Sequence, residues 1–426
     1  MSATRPAAAD ALAVGGVALD RAFAALKRLE PGAHAFQMVD LDALAGRARR
    51  LRAAFDPLGA GVAYALKANA LPALLEQLEG EGLWADAASL GELELAAAAG
   101  FGADRRILNG NGKTLEELDW AAWRGVALLN ADHVGELDPL ERAAAAANAR
   151  VPVALRVNPG VGTGGHPHVA TGHEEAKFGV APEEALEAWA ARKRWPHLRL
   201  DGLHVHVGSQ LLDTRPLDEA LTIVLALADE SARRGAPLGV LDLGGGFGLD
   251  YSGEGEEFPV EAWAGSLAER LRGRSLELIV EPGRWLVGPV GVLVAEVLWV
   301  KRRGGRRFVV IAAGMNDLLR PALYRARHRI VPVRPRPGPI EPASVVGPVC
   351  ESADVFDDEC PLPPLEPGDL VAILDTGAYG AVMASNYNGR GRLAELVVEG
   401  GRLVRARAGE SPADLASRRA ADPLAP

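Results

Sequence analysis

Tyr64-Ala65-Leu66-Lys67-Ala68-Asn69 is the stretch on which the reading of the fold turns. A short apolar run, Gly61 to Leu66, ends on one lysine, and a helical pattern begins at Leu71. A strand that delivers an amine at its C-terminal end and passes into a helix is the unit from which βα-barrels are built. Such barrels collect their chemistry at that end. Burying a charged lysine in an apolar strand is costly, which favours the neutral amine and makes Lys67 a candidate nucleophile or Schiff-base former. A lysine that only closes a strand is the plainer alternative.

Outward from this stretch, short apolar runs alternate with helical stretches, the signature of a parallel sheet built from βα units. Strands are expected at Val62–Leu66, Trp84–Ala87, Arg106–Leu108, Ala127–Leu129, Val153–Val157, Gly202–Val207, Val240–Leu243 and Glu277–Val280. With a strand at Phe36–Asp40 they number nine, roughly the count that an eight-stranded barrel needs. Helices are expected at Leu41–Phe55, Ala70–Glu79, Leu90–Ala99, Leu115–Ala122, Pro182–Arg192 and Leu217–Arg234. After Pro289 the pattern changes to strands punctuated by glycine and proline, at Val290–Lys301, Arg307–Ala312, Ile330–Val333, Ser344–Val349, Leu370–Leu374 and Glu395–Val398. The expected fold is α/β, a (β/α)8 TIM-type barrel over residues 37–285 with a second, mostly antiparallel β domain. Residues 1–36 are alanine-rich with weak periodicity, and the tail from Ala406 is polar, with partial disorder expected.

Composition narrows the function. The 426 residues are 48% hydrophobic and 24% charged, ordinary for a globular chain with a sizeable core. A net charge of −10 argues against nucleic acid or an anionic membrane as the main partner. The pairs Arg302-Arg303 and Arg306-Arg307 are read as solvated turns. Two cysteines, Cys350 and Cys360, are too few for a disulfide framework or a cysteine zinc site. No signal peptide is read at the N-terminus, and no apolar run approaches the ~20 residues of a membrane span. A soluble, cytoplasmic protein is expected.

Several strand ends carry chemistry. Gly244-Gly245-Gly246 follows an apolar strand, as a phosphate loop or a tight turn does. Glu281-Pro282-Gly283-Arg284 ends another strand with an acid and an arginine, which could pair or hold a ligand with a basic nitrogen and an anionic group. His204 and His206 have strand spacing and face one way; that permits a metal, but no nearby acidic or cysteine ligand completes a site, and a histidine stacked on a planar ring with Ser209 holding an anion fits as well. Asp86 and Arg156 stand at barrel strand ends and would face the same mouth as Lys67. Cys350 precedes Glu351 at a strand end, and Tyr379 sits in a glycine-rich loop. Arg320 and Tyr324 share one side of a turn or short helix, an arrangement suited to a carboxylate.

Taken in order, these motifs resemble one family: the pyridoxal-phosphate-dependent decarboxylases of the alanine-racemase-like fold, and among them the diaminopimelate decarboxylases. The resemblance rests on Tyr64–Asn69, Arg156–Gly160, Lys177–Gly179, Gly202–Leu211, Leu241–Gly248, Glu281–Arg284, Gly314–Tyr324, Gly347–Asp354 and Gly377–Asn388. It implies that residues 1–36 join 286–426 in the second domain. It assigns Lys67 to the Schiff base with pyridoxal phosphate and His206 to stacking on the ring. Ser209, Gly244, Gly245, Gly246, Gly283 and Arg284 would hold the phosphate, Glu281 would pair with the pyridine nitrogen, and Asp86 and Arg156 would support the cofactor. Cys350 would reprotonate the carbanion across a homodimer interface. Glu351 would bind the substrate's distal amine, while Arg284, Arg320 and Tyr324 would bind its distal carboxylate and Tyr379 would contact both cofactor and substrate. A carboxylate at Glu281 keeps the ring nitrogen protonated and favours decarboxylation over racemisation. The implied reaction is decarboxylation of meso-diaminopimelate to lysine. Rival readings are a decarboxylase of the same fold acting on carboxynorspermidine, a D-amino acid or a carrier-bound amino acid, and a non-catalytic relative. The chain departs from the family pattern at Ala33–Asp40 and at Gly165–Gly172.

Overall fold

The computed structural model describes residues 11–160 and 177–418; the Gly165–Gly172 stretch and the end of the tail lie outside them. The chain divides into two compact units, one of Leu44–Val287 and one combining the residues up to Ala43 with those from Gly288 onward.

In the first unit, eight parallel strands close a barrel of TIM type among the described residues: Gly61–Ala65, Trp84–Ala87, Arg106–Leu108, Leu128–Ala131, Val151–Arg156, Leu198–His204, Val240–Asp242 and Glu277–Val280. Closure is direct, Ile279 and Val280 pairing with Gly61 and Val62. The strands are short and buried on both faces, so they read as apolar runs without alternation. Ala63, Ile107, Leu128, Ala154, Val240 and Ile279 form a layer of the interior. At Gly202 a Cβ would come within 2.8 Å of the Ala154 backbone, beside a register shift between Val153 and Ala154. Only glycine allows that approach.

The surrounding helices follow local rules. The helix Leu115–Arg124 begins with a capping box between Thr114 and Glu117, and Leu90–Ala98 is capped by the Ser89 side chain. The longest, Arg215–Arg233, buries Leu217, Ala220, Leu221, Val224 and Ala228 at helical spacing. Two further helices, Leu137–Ala146 and Val260–Arg270, were not expected. The first is too rich in alanine for an apolar stripe to stand out.

The strand Ala35–Asp40 corrects one expectation. It was counted towards the barrel, yet it lies in the second unit, antiparallel to Gly291–Arg303 and parallel to Ala394–Glu399. The eight strands from Gly61 to Val280 already close on themselves, so the barrel has no seam for another.

Among the described residues, the second unit is built on a nine-stranded, mostly antiparallel sheet organised on Gly291–Arg303. The period-2 geometry of that strand sends Val292 and Val294 into one core, with Phe36, Met38 and Leu396. Leu293, Ala295 and Val297 enter another, with Ile311, Val345 and Ile373. Polar residues interrupt the patterns of the strands Val355–Leu362 and Arg402–Arg407, which were not expected; nor was the helix Leu19–Leu29, which buries Leu19, Ala22 and Leu26 at helical spacing. Within the described part of the tail, Ser411 caps the helix Pro412–Ser417. Arg307 is no solvated turn residue: it is buried, donating to the carbonyls of Pro363, Leu362 and Glu341. No helix among the described residues is long and apolar enough to cross a membrane.

Candidate active site

At the C-terminal mouth of the barrel, the strand ends surround a cavity of about 400 Å³ lined by Lys67, Asn109, Arg156, His204, His206 and Glu281 among others. Lys67 stands just past its strand, in the 3₁₀ turn Leu66–Ala68, which the Tyr64 hydroxyl braces by donating to Asn69 O at 2.7 Å. The expectation of a lysine buried in a strand fails: its side chain is 44% exposed and its Nζ lies 3.2 Å from Asp86 Oδ2. The turn carries it out of the apolar layer and over the cavity.

Behind Lys67 lies a network of carboxylates and amides. The single Nδ2 of Asn109 donates to Asp86 Oδ1 at 2.6 Å and to Glu281 Oε1 at 2.5 Å, so both of its protons are used. Asn130 Nδ2 donates to Asp242 Oδ2 at 2.9 Å, and Gly244 N–H donates to Asp242 Oδ1 at 2.9 Å. His204 Nε2 lies 3.5 Å from Glu281 Oε2. Burial, and then the neighbouring Glu281 charge, push Asp242 far above the ordinary carboxylate range and Asp86 upward as well. Burial also pushes against ionisation of Glu281, but His204, Lys67 and a hydrogen bond from Asp242 outweigh it and hold this carboxyl well below its ordinary value. These directions favour the ionised form at Glu281 and the protonated form at Asp242.

His204 was read as lacking acidic neighbours. That is overturned, since His204, Asp242 and Glu281 offer ligand atoms within 4.8 Å of one another. Barrel closure brings together residues far apart in the chain. Asn109, Asn130 and Asp242 were not singled out, since a buried amide or acid at a strand end has no sequence signature beyond its position.

His206 accepts a hydrogen bond from Gly245 N–H at its Nδ1, 3.2 Å away. An amide N–H can only donate, so Nδ1 carries the lone pair. Burial, Lys67 and Arg156 press its pKa well below the usual imidazole value, giving a neutral ring facing the cavity. Arg156 lies 3.3 Å from Asp132 and 4.4 Å from the Phe178 ring centroid.

Beside the ring of strand ends is an anion cradle. Arg284 is 8% exposed and donates from Nη2 to Ser209 Oγ at 2.9 Å and from Nη1 to the Tyr251 hydroxyl at 3.1 Å. No local sequence pattern marks Tyr251 as part of this cradle. Gly244 and Gly246 adopt φ values of +62° and +97°, where L side chains are strained. A Cβ on Gly245 would fall far inside contact with the Glu281 carbonyl, and one on Gly283 would lie 3.1 Å from Ala65 Cβ. Only glycine lets this loop approach the neighbouring strand ends so closely, leaving its backbone N–H groups uncovered by side chains. An amine, a buried carboxylate, a neutral imidazole and a glycine loop beside a buried arginine fit pyridoxal phosphate.

The remaining expected residues lie in the second unit. Arg320 opens the short helix Arg320–Tyr324 and is buried, whereas Tyr324 is half-buried. Cys350 and Glu351 are exposed on one turn: Cys350 N–H donates to Asn388 Oδ1 at 2.8 Å, and the Tyr387 hydroxyl lies 3.4 Å from Glu351 Oε2. Asp354 orders that turn by accepting from Val349 and Met315 N–H at 2.7 and 2.6 Å. Tyr379 is half-buried with φ of +57°, an uncommon backbone state for a tyrosine.

Residues 41–288 match the pyridoxal binding domain of the pyridoxal-dependent decarboxylases. The diaminopimelate decarboxylase of Neisseria meningitidis serogroup A is 42% identical over 83% of this chain and 87% of its own. The solved Helicobacter pylori diaminopimelate decarboxylase, in complex with L-lysine, superposes with a TM-score of 0.87 at 37% identity, covering 91% of this chain and 97% of that one. A Vibrio vulnificus lysine/ornithine decarboxylase, complexed with putrescine, gives 0.77 at 26% identity, covering 90% and 99%. The chain is thus a pyridoxal-phosphate-dependent enzyme and belongs to the pyridoxal-dependent decarboxylases, within their diaminopimelate decarboxylase group.

Proposed function

We propose that the protein decarboxylates meso-2,6-diaminopimelate to L-lysine, using the barrel mouth to hold pyridoxal phosphate and the second unit to recognise the substrate. The observation that carries this reading is Glu281, a buried carboxylate that lines the cavity and is held by Asn109 Nδ2 at 2.5 Å with His204 Nε2 3.5 Å away. Bound pyridoxal phosphate supplies a ring that accepts the electron pair left when carbon dioxide departs, provided its nitrogen is protonated. Glu281 is the group that would hold that proton, and Asn109 and His204 keep it aimed. Lys67 would anchor the cofactor through its amine, which Asp86 orients. His206, pinned by Gly245, would stack on the ring. The Gly244–Gly246 loop, Ser209, Gly283 and Arg284 would hold the phosphate, and Arg156 would support the cofactor.

Cys350 returns a proton to the carbon that lost carbon dioxide, contributed across the interface of a cytoplasmic homodimer. Glu351 receives the substrate's distal amine, Arg284, Arg320 and Tyr324 its distal carboxylate, and Tyr379 contacts cofactor and substrate. L-lysine retains the distal carboxylate of diaminopimelate, whereas putrescine has none. Arginine binding therefore separates the proposed substrate from a diamine precursor such as ornithine.

The test is carbon dioxide release from a panel of meso-diaminopimelate, carboxynorspermidine, D-ornithine and D-lysine. Release from diaminopimelate with stoichiometric lysine is expected. Absence of release from it, or faster release from another member, overturns the assignment. Lys67→Ala is expected to lose bound cofactor absorbance and turnover together, and sedimentation is expected to give a dimer.

A further inference from the structure

His328 belongs to none of the motifs described above. It lies beyond the helix Arg320–Tyr324 and is 4% exposed. Its Nδ1 is 2.9 Å from the carbonyl oxygen of Leu374, and its Nε2 is 2.7 Å from Nη1 of Arg320. A carbonyl oxygen only accepts, so Nδ1 bears the hydrogen. A guanidinium nitrogen only donates, so Nε2 bears the lone pair. The two contacts together select one tautomer of a neutral imidazole.

The anchor of this relay is rigid. Leu374 ends the strand Leu370–Leu374, which pairs with Gly291–Arg303 on one side and Ile330–Pro332 on the other. The neighbouring residues are tied as well: Leu374 N–H donates to Arg329 O at 2.9 Å, and Arg329 donates to Asp375 Oδ2 at 2.9 Å. The chain between Arg320 and His328 turns back through Arg325, whose φ is +53°. A sheet carbonyl thus fixes an imidazole, and the imidazole fixes a buried guanidinium.

We infer that His328 is a positioning residue that sets the direction of Arg320 for a ligand carboxylate, and so contributes to recognition of a substrate with a carboxylate at its far end. A carboxylate in the same place would orient the fork equally well but would compete with the ligand for its charge. An imidazole in this tautomer supplies direction and no charge. The inference rests on the proposed role of Arg320.

The test uses His328→Phe, which keeps a ring and removes both bonds, and His328→Gln, which restores an acceptor at the ε position. In the holoenzyme, His328→Phe is expected to raise KM for diaminopimelate about tenfold, the order set by one hydrogen bond to a charged group, with kcat within about twofold. Competitive inhibition by L-lysine, which keeps the distal carboxylate, is expected to weaken by the same factor, while inhibition by cadaverine, which has none, is unchanged. His328→Gln is expected to recover most of the loss. Should the Phe variant fail to fold, His328→Asn carries the same expectation, because its amide retains the bond to Leu374 and cannot reach Arg320. Unchanged KM and lysine inhibition, or equal weakening of lysine and cadaverine, overturns the inference. Arg320→Gln separates the two layers: if it raises KM while His328→Phe does not, only the role of His328 falls. If neither variant moves KM, the assignment of Arg320 falls.

Discussion

Asn109 is the residue whose replacement tests the electrostatic design of the barrel mouth. Its amide nitrogen serves Asp86 at 2.6 Å and Glu281 at 2.5 Å, and both acids are buried. In Asn109→Ala each carboxylate loses a donor, and a hydrogen bond to a charged group is worth roughly 1.5–3 kcal/mol. Asp86 can relieve part of the loss by taking up a proton, since burial and the Glu281 charge already push its pKa upward. The net cost is therefore nearer the lower bound, about 3 kcal/mol at pH 8, or a fall of about 6–12 °C in the barrel's unfolding midpoint.

The pH dependence has a definite sign. A carboxyl whose folded pKa is raised contributes stability that is present below its unfolded value and is lost as pH rises through the folded value. Removing Asn109 raises Asp86 further, so the deficit of the variant is smallest at acid pH and grows towards pH 8. Urea unfolding of the apoprotein at pH 5 and pH 8 measures both the size and the slope, and leaves cofactor binding out of the comparison. A deficit under about 1 kcal/mol at both pH values, or one independent of pH, refutes the argument that this amide carries the two charges.

Two glycines make a matched pair. Gly265→Ala, at an exposed position of the helix Val260–Arg270 where a Cβ meets nothing within 4 Å, is expected to stabilise the protein by about 0.5–1 kcal/mol. Gly245→Ala, facing the Glu281 carbonyl, is expected to cost about 1–3 kcal/mol and to weaken cofactor binding in a fluorescence titration. In the second unit, burial raises Asp317 to about 7. Its stabilising contribution is therefore present below about pH 4 and lost by pH 8, a swing of about 4 kcal/mol that Asp317→Asn is expected to flatten in chemical denaturation. Iodoacetamide is expected to label exposed Cys350 in the folded protein, while Cys360, buried and pushed by burial up to about 12, reacts only on unfolding; peptide mapping distinguishes them.

The barrel strands, the position of Lys67 after one of them, the glycine loop and the Glu281–Arg284 turn were legible in the sequence, because each depends on neighbours within a few residues. A run such as Gly61–Ala65 is apolar because it is buried on both faces, and its end is marked locally by Lys67. The sheet to which Ala35–Asp40 belongs was not legible. Its residues are nearly all buried, as a barrel strand's are, and only pairing with Gly291–Arg303 and Ala394–Glu399 decides its place. The same holds at the site. Nothing local to Asn109 joins it to Asp86, 23 residues away, or to Glu281, 172 away. Sequence alone determined which chemical groups stand at the strand ends. Barrel closure decided which of them touch, and hence that the ionised form is favoured at Glu281 and the protonated form at Asp242, because the cost of a buried charge depends on partners that only the folded chain assembles.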